Sequence, residues 1–176
     1  MAEAFSNKLT RAAGIVTTSS SGSIGITTTI ITGISTVGVA VSDLVDNTNF
    51  IAGTKVTGYG AAASQVVVDQ TSTNTAAVTG SAVVNFLGMT TAYTSAAATK
   101  SILIGGTFAN NTTSSVNLTV EVHDASAGIQ AAIASKIPVP TGSSFVISDA
   151  GKTVLEATDE VRVFCDTANA LDVNLS

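Results

Sequence analysis

Ionisable and aromatic side chains are scarce in this 176-residue chain, which has one cysteine, one histidine and no tryptophan. A single cysteine excludes an internal disulfide framework and a zinc site built from several cysteines. A single histidine likewise excludes a metal site built from several histidines. Only 11% of the residues are charged, seven are Lys or Arg, and the net charge is −5. Because binding to a phosphate backbone requires a basic surface, we predict no nucleic-acid partner.

Long apolar runs are also absent from the sequence. No segment approaches the roughly 18 uninterrupted apolar residues of a membrane-spanning helix, and we predict no membrane association. The most apolar run, GITTTIITGI at residues 25–34, is interrupted by threonines. The chain is instead rich in Thr, Ser, Ala and Val, and β-branched residues favour pleated, half-buried strands. The composition therefore predicts an all-β protein.

The chain divides into three predicted parts: an extended N-terminal arm at residues 1–22, a small β-barrel or sandwich domain at 23–88, and an antiparallel β-sandwich domain at 92–176. Within the arm, SNKLTRAAG fits two helical turns with Ser6 as the N-cap and Gly14 just past the end. Such short helices are marginal in water. We therefore expect the arm to become ordered only by packing on another surface, and to dock on a neighbouring subunit when copies assemble.

The domain at residues 23–88 contains short runs with strand composition, separated by turn residues. Two of these runs flank a Gly- and Ala-rich connection in GTKVTGYGAAASQVVVDQT, residues 53–71, which predicts a hairpin. The segment 42–53, SDLVDNTNFIAG, supplies Asp, Asn and Gly for turns. Residues 89–93, MTTAY, are interpreted as the joint between the two domains.

The domain at residues 92–176 shows clear alternation of apolar and polar residues. In SSVNLTVEVHD the alternation places two sets on opposite faces: Val116, Leu118, Val120 and Val122 on one, and Asn117, Thr119, Glu121 and His123 on the other. Val161, Val163 and Cys165 share a face in the same way, which predicts Cys165 as a core residue. This pattern predicts one sheet face on a core and one facing water. Residues 127–140, AGIQAAIASKIPVP, are interpreted as a strand or edge segment because the two prolines force extended backbone.

The densest ionisable cluster, Glu121, His123 and Asp124, is the first candidate for a catalytic site. His123 would be the base of any serine hydrolase, but no serine stands in a G-x-S-x-G sequence at a strand-to-helix turn. Asp159 and Glu160 are adjacent, so their side chains point to opposite faces of a strand. We interpret His123 as a solvated residue at a strand end and EATDEVR as a charged turn that enters a strand. We predict no enzyme and no catalytic residue.

Residues Asp43–Asn49, in DLVDNTN, carry several oxygen donors but lack the Gly and the final Glu of a calcium-binding helix–loop–helix loop. A surface calcium ion at this segment is an open alternative. Otherwise we predict no metal-binding or cofactor-binding residue, and no cofactor.

Weakly charged Thr- and Ser-rich stretches, such as TNTAAVTGSAVV, can lie against a neighbour without burying charge, and exposed β edges favour pairing. This composition favours self-association.

Two segments resemble modules of tailed-phage virion proteins. The first segment matches the recurring turn and strand motifs of these modules at Gly33-Ile34, Gly53-Thr54, Val56, Val67–Asp69 and Phe86. It departs from them at the central turn, near Asp46–Asn49. In the second, Pro138–Ser144, Leu155–Val163 and Leu171–Ser176 match a VPVP-x-G-S-S turn, a LEAGD-x-(I/V)-R-V strand and a final LDV-x-LS. Thr158 stands where the module commonly has Gly. With the opening MAEAFSNKLTRAAGIVTT, nearly the whole chain resembles accessory virion structural proteins of T4-like marine cyanophages.

This resemblance implies a non-enzymatic virion protein present in multiple copies at the neck, the tail or the capsid surface. Its partners would be copies of itself, in a homo-oligomeric ring or lattice, and other virion proteins. An alternative is a capsid-decoration or host-surface module that binds carbohydrate. Such modules use aromatic platforms, and Tyr59 and Tyr93 are the only tyrosines present.

Overall fold

The computed structural model describes residues 5–147 and 152–176, and this part of the chain forms strands and no helix. It divides into two compact units, which we call the barrel unit and the sandwich unit. The barrel unit is Ile15–Met89, and the sandwich unit comprises the described residues of Met1–Gly14 and Thr90–Ser176. The predicted all-β fold is confirmed. Within the described residues, no helix has the length and apolar character that crossing a membrane requires.

The strands are between 3 and 11 residues long, and each pairs with its neighbours in antiparallel fashion. In chain order they are β1 (Lys8–Ala13), β2 (Ile15–Ile24), β3 (Ile30–Thr32), β4 (Leu44–Asp46), β5 (Val56–Tyr59), β6 (Gln65–Val68), β7 (Val78–Gly88), β8 (Thr90–Thr94), β9 (Ser101–Leu103), β10 (Gly106–Asn110), β11 (Val116–Asp124), β12 (Ile129–Val139), β13 (Ser144–Ile147), β14 (Thr153–Leu155), β15 (Glu160–Cys165) and β16 (Leu171–Leu175).

The barrel unit is a six-stranded sheet in the order β4-β7-β2-β3-β6-β5 that closes on itself. Leu44 of β4 forms a bridge with Lys55, the residue directly before β5, and the Val45 amide donates to the Thr54 carbonyl at 2.8 Å. The Val56 amide donates to the Asp43 carbonyl at 3.0 Å. These bonds join the two ends of the sheet, so this unit presents no long unpaired edge. Its interior is filled by apolar side chains, among them Ile24, Ile31, Ile34, Val66, Val84 and Phe86.

The sandwich unit contains two four-stranded sheets, β1-β16-β10-β13 and β12-β11-β15-β8, and the small pair β14-β9. Inward-facing residues of both sheets form one core, including Phe108, Leu118, Val120, Val163, Cys165, Leu171 and Val173. Along one side the two sheets are tied together, because the Thr10 hydroxyl donates to the Ala92 carbonyl at 3.4 Å and the Gly14 amide donates to the Thr90 hydroxyl at 3.2 Å.

Several sequence predictions are confirmed. The hairpin predicted at residues 53–71 is β5 paired with β6. The segment 127–140 contains β12, at the edge of its sheet. Val116, Leu118 and Val120 are buried in the core as the alternation predicts.

The helical turns predicted over residues 6–14 are wrong. Lys8–Ala13 is a strand, β1, whose residues pair with β16 from Lys8↔Leu175 to Ala13↔Leu171. The following residues of the predicted arm belong to β2, a central strand of the barrel unit between β7 and β3. The stretch predicted as an arm is therefore divided between the two units, because strand partners distant in sequence satisfy its backbone. Residues 1–4 of that stretch lie outside the described part of the chain.

The predicted joint at residues 89–93 also differs from the structure. Thr90–Thr94 is strand β8, which pairs with β15 from Glu160↔Thr94 to Val163↔Thr90. The two units instead meet in the chain at Gly14 and at Met89. Gly14 has a φ of +121°, and a Cβ there would lie 2.5 Å from the Thr167 carbonyl oxygen, so only glycine fits. The segment 42–53, predicted as turns, contains the short strand β4.

Candidate functional site

The cluster of Glu121, His123 and Asp124 lies at the end of β11, beside β15. The register sets Glu121 opposite Arg162 and His123 opposite Glu160. The face predicted to be solvated is largely covered: Glu121 is only 4% exposed, and Thr119 and Phe164 on the same face are buried. The strand alternation is therefore correct, but the expectation of an open, wet face is wrong for this part of β11.

Ionisable side chains of β15 lie close to the end of β11. The Arg162 Nε donates to the Glu160 Oε2 at 2.7 Å. His123 Nδ1 lies 4.0 Å from the same Glu160 oxygen and has no hydrogen-bond partner among the described residues. A catalytic base must reach the proton of a nucleophile, and His123 makes no hydrogen bond to a hydroxyl or thiol there. Arg162 and Glu160 form an ion pair within β15, and His123 faces the same carboxylate from the neighbouring strand β11.

Asp124 caps the turn that connects β11 to β12. Its Oδ1 accepts hydrogen bonds from the Ser126 hydroxyl at 2.7 Å, the Ser126 amide at 2.9 Å and the Ala127 amide at 2.9 Å. The Ser126 hydroxyl is the main reason that the pKa of Asp124 lies below its usual value. The carboxylate is thus ionised at neutral pH and holds the hairpin turn closed.

Asp159 is buried, with 4% exposure, between two loops. Its Oδ1 accepts from the Ala125 amide at 3.0 Å, and its Oδ2 accepts from the Glu156 amide at 2.9 Å. The predicted charged turn before a strand is confirmed, because residues 156–159 connect β14 to β15. Because both carboxylate oxygens accept backbone hydrogen bonds, Asp159 joins the turn between β11 and β12 to the connection between β14 and β15.

The segment Asp43–Asn49 uses its oxygens in the same way. Asp43 Oδ2 accepts from the Ala40 amide at 2.8 Å, and Asn47 Oδ1 accepts from the Asn49 amide at 2.8 Å. Burial raises the pKa of Asp43, which is 4% exposed. In residues 5–147 and 152–176, no three His, Cys, Asp or Glu side chains are grouped as metal ligands. The calcium ion considered for this segment stays an untested alternative.

Cys165 is fully buried in the core of the sandwich unit, as predicted. Burial is the main cause that raises the pKa of its thiol to about 11. Since the thiolate is the reactive species, this cysteine is inert at neutral pH while the unit is folded.

We expect iodoacetamide to leave Cys165 unmodified at neutral pH in the native chain and to alkylate it fully in denaturant. Intact-mass spectrometry of the two reactions checks this result. Free cysteine in the same mixture serves as the control for reagent activity. Equal labelling rates of the folded and the unfolded chain would show that the sandwich core is open.

The hydroxyls of both tyrosines are already bonded within the fold. Tyr59 donates to the Val39 carbonyl, and Tyr93 shares a hydrogen bond of 2.7 Å with the Ser101 hydroxyl. A depression of about 430 Å³ in the barrel unit is lined by small, apolar and polar uncharged residues such as Gly25, Thr28 and Gln65. It contains no acid or base.

The β11–β12 hairpin is one of several places where the sandwich unit exposes large apolar side chains. Apart from Ala134, the residues of β12 from Ile129 to Lys136 are exposed, with 63% exposure of Ile129 and 40% of Ile133. Sequence reasoning identified this segment as an edge, but it did not identify the isoleucines as exposed.

Comparisons of the chain with family models, with curated proteins and with solved structures gave no match.

Proposed function

We propose that the chain is a non-enzymatic virion structural protein that assembles in multiple copies on a phage particle. The observation that carries the proposal is the contrast between the aspartate side chains and the large apolar side chains of the molecule. Asp43, Asp124 and Asp159 are engaged in capping the chain's own backbone. Large apolar side chains meanwhile remain exposed on the hairpin edge. Such a molecule offers contact surface rather than chemistry.

The second of the two segments that resemble phage modules forms turns and strands of the sandwich unit. Pro138–Ser144 runs from the end of β12 through the turn to the start of β13, and the Ser143 amide and hydroxyl both donate to the Pro140 carbonyl. Thr158, where the module commonly has Gly, has a φ of +69°, a conformation that glycine adopts without strain. This agreement between the module's glycine and the local backbone supports the resemblance on which the virion setting rests.

We propose that copies associate otherwise than by the predicted docking of an arm. Because β1 and β2 are strands within the units, we assign self-association to sheet surfaces. The barrel unit is closed, so it can contribute only its faces. The sandwich unit has a strand edge at β12. Weak contacts of this kind suffice in a ring or lattice, because many of them act together.

Sedimentation of phage particles tests the proposal. Particles of the phage that encodes the chain are banded on a density gradient, washed in high salt, and probed with an antibody to the chain. We expect the chain to band with the particles. A chain that stays in the soluble lysate while the particles are complete would overturn the proposal.

A further inference from the structure

We propose that β12 pairs in antiparallel fashion with β12 of a second copy of this chain, across a two-fold axis near Ala131. The inference rests on the proposed function in that it names the partner for one contact of the assembly. It states which strand makes the contact, in which direction, and in which register.

The backbone of β12 is available for such pairing. In the sheet β12-β11-β15-β8, β12 is an end strand whose only strand partner among the described residues is β11. The opposite end, β8, is tied to β1 by the bonds at Ala92 and Thr90. An unpaired edge presents a row of amide and carbonyl groups that another strand can satisfy.

The features that protect edges in natural proteins are confined to one half of β12. Lys136 and Pro138 lie toward its C-terminal end, and the pairing with β11 shifts register twice between Ala132 and Ile137. Charges, prolines and bulges of this kind discourage edge pairing. The half from Ile129 to Ala132 pairs regularly, is exposed and carries no charge.

The sequence of this half suits pairing with a copy of itself. The five residues IQAAI, from Ile129 to Ile133, read almost the same in both directions. Antiparallel pairing about Ala131 sets Ile129 of each copy opposite Ile133 of the other. Both exposed isoleucines are then covered, and the contact is the same on both sides, as an isologous two-fold interface requires.

Charge is complementary in the same arrangement. With the axis at Ala131, the end of β12 that carries Lys136 in one copy lies toward the turn that Asp124 caps in the other. The positive end of each strand thereby meets the negative end of its partner, and no like charges face each other. A parallel arrangement would instead place each Lys136 beside its counterpart.

Two variants of the full chain test the pairing. Ala131→Lys and Ala131→Glu each place like charges at the two-fold axis, and Ala131 is exposed, so the fold tolerates both. The matched control is Ala97→Lys, at an exposed alanine outside the strands. Dissociation constants are measured by sedimentation equilibrium, and circular dichroism verifies the fold of each variant.

We expect the wild-type chain and Ala97→Lys to dimerise, and each Ala131 variant to dimerise at least about tenfold more weakly. An equimolar mixture of Ala131→Lys and Ala131→Glu should restore dimers that contain one of each. A monomeric wild-type chain, Ala131 variants that associate as the wild type does, or a mixture without heterodimers would each overturn the pairing. Particles that still contain the chain in those cases would show that the proposed function stands while β12 is not the contact.

Discussion

Removal of residues 1–22 is expected to abolish folding of both units. The deletion takes away β1, which pairs with β16 and contributes the fully buried Ala13 to the sandwich core. It also takes away most of β2, the strand between β7 and β3 in the barrel unit. Domains are stable by only about 5–15 kcal/mol, so neither unit should survive the loss of such pairing. Circular dichroism and urea unfolding of the purified variant measure this outcome.

The control for the deletion is Leu9→Ser in the full chain. Leu9 belongs to β1, but its side chain is 74% exposed, so the strand should form without it. We expect this variant to unfold cooperatively, near the wild-type midpoint. If the truncated chain kept a native β spectrum and a cooperative transition, the first 22 residues would be a separate arm and the strand pairings described for them would be incorrect.

Replacement of Asp159 by alanine should destabilise the sandwich unit by about 3 kcal/mol. Both carboxylate oxygens accept backbone hydrogen bonds, from Ala125 and from Glu156, at a buried position. Alanine leaves both amide donors without their acceptor, and unsatisfied buried donors carry most of this cost. Chemical denaturation of the wild type and the variant gives the difference in the free energy of unfolding.

Asp159→Asn is the matched variant, since its single carbonyl oxygen keeps one acceptor in nearly the same volume. We expect a loss of about half that of Asp159→Ala. Stability of Asp159→Ala within about 0.5 kcal/mol of the wild type would mean that water replaces the carboxylate and that Asp159 does not hold the two loops.

Local alternation in the sequence predicted the strands of the sandwich core well, because side chains of one strand alternate strictly between two faces. Val116, Leu118, Val120, Val161 and Val163 are buried as that pattern requires. The same pattern does not show whether other segments of the chain cover the polar face of a strand. Thr119 and Glu121 were predicted to face water for that reason, and they are buried.

Pairing between distant residues was beyond the reach of local patterns. The Ala12 amide bonds to the side chain of Asp172, 160 positions away, and β1 owes its conformation to such partners. Closure of the barrel unit depends likewise on the bridge between Leu44 and Lys55 rather than on either strand's composition. At the candidate site, the sequence predicted correctly that EATDEVR is a turn that enters a strand, but the two backbone bonds of Asp159 became evident only in the structure.

The number of copies of the chain in each particle tests the central claim most directly. Quantitative mass spectrometry of purified virions, calibrated against an abundant capsid protein, gives this number. If the chain acts as a repeated structural subunit, the number of copies per particle should be a fixed whole number well above one in every preparation. A ratio below one copy per particle, with the chain abundant in the infected cell, would contradict the claim.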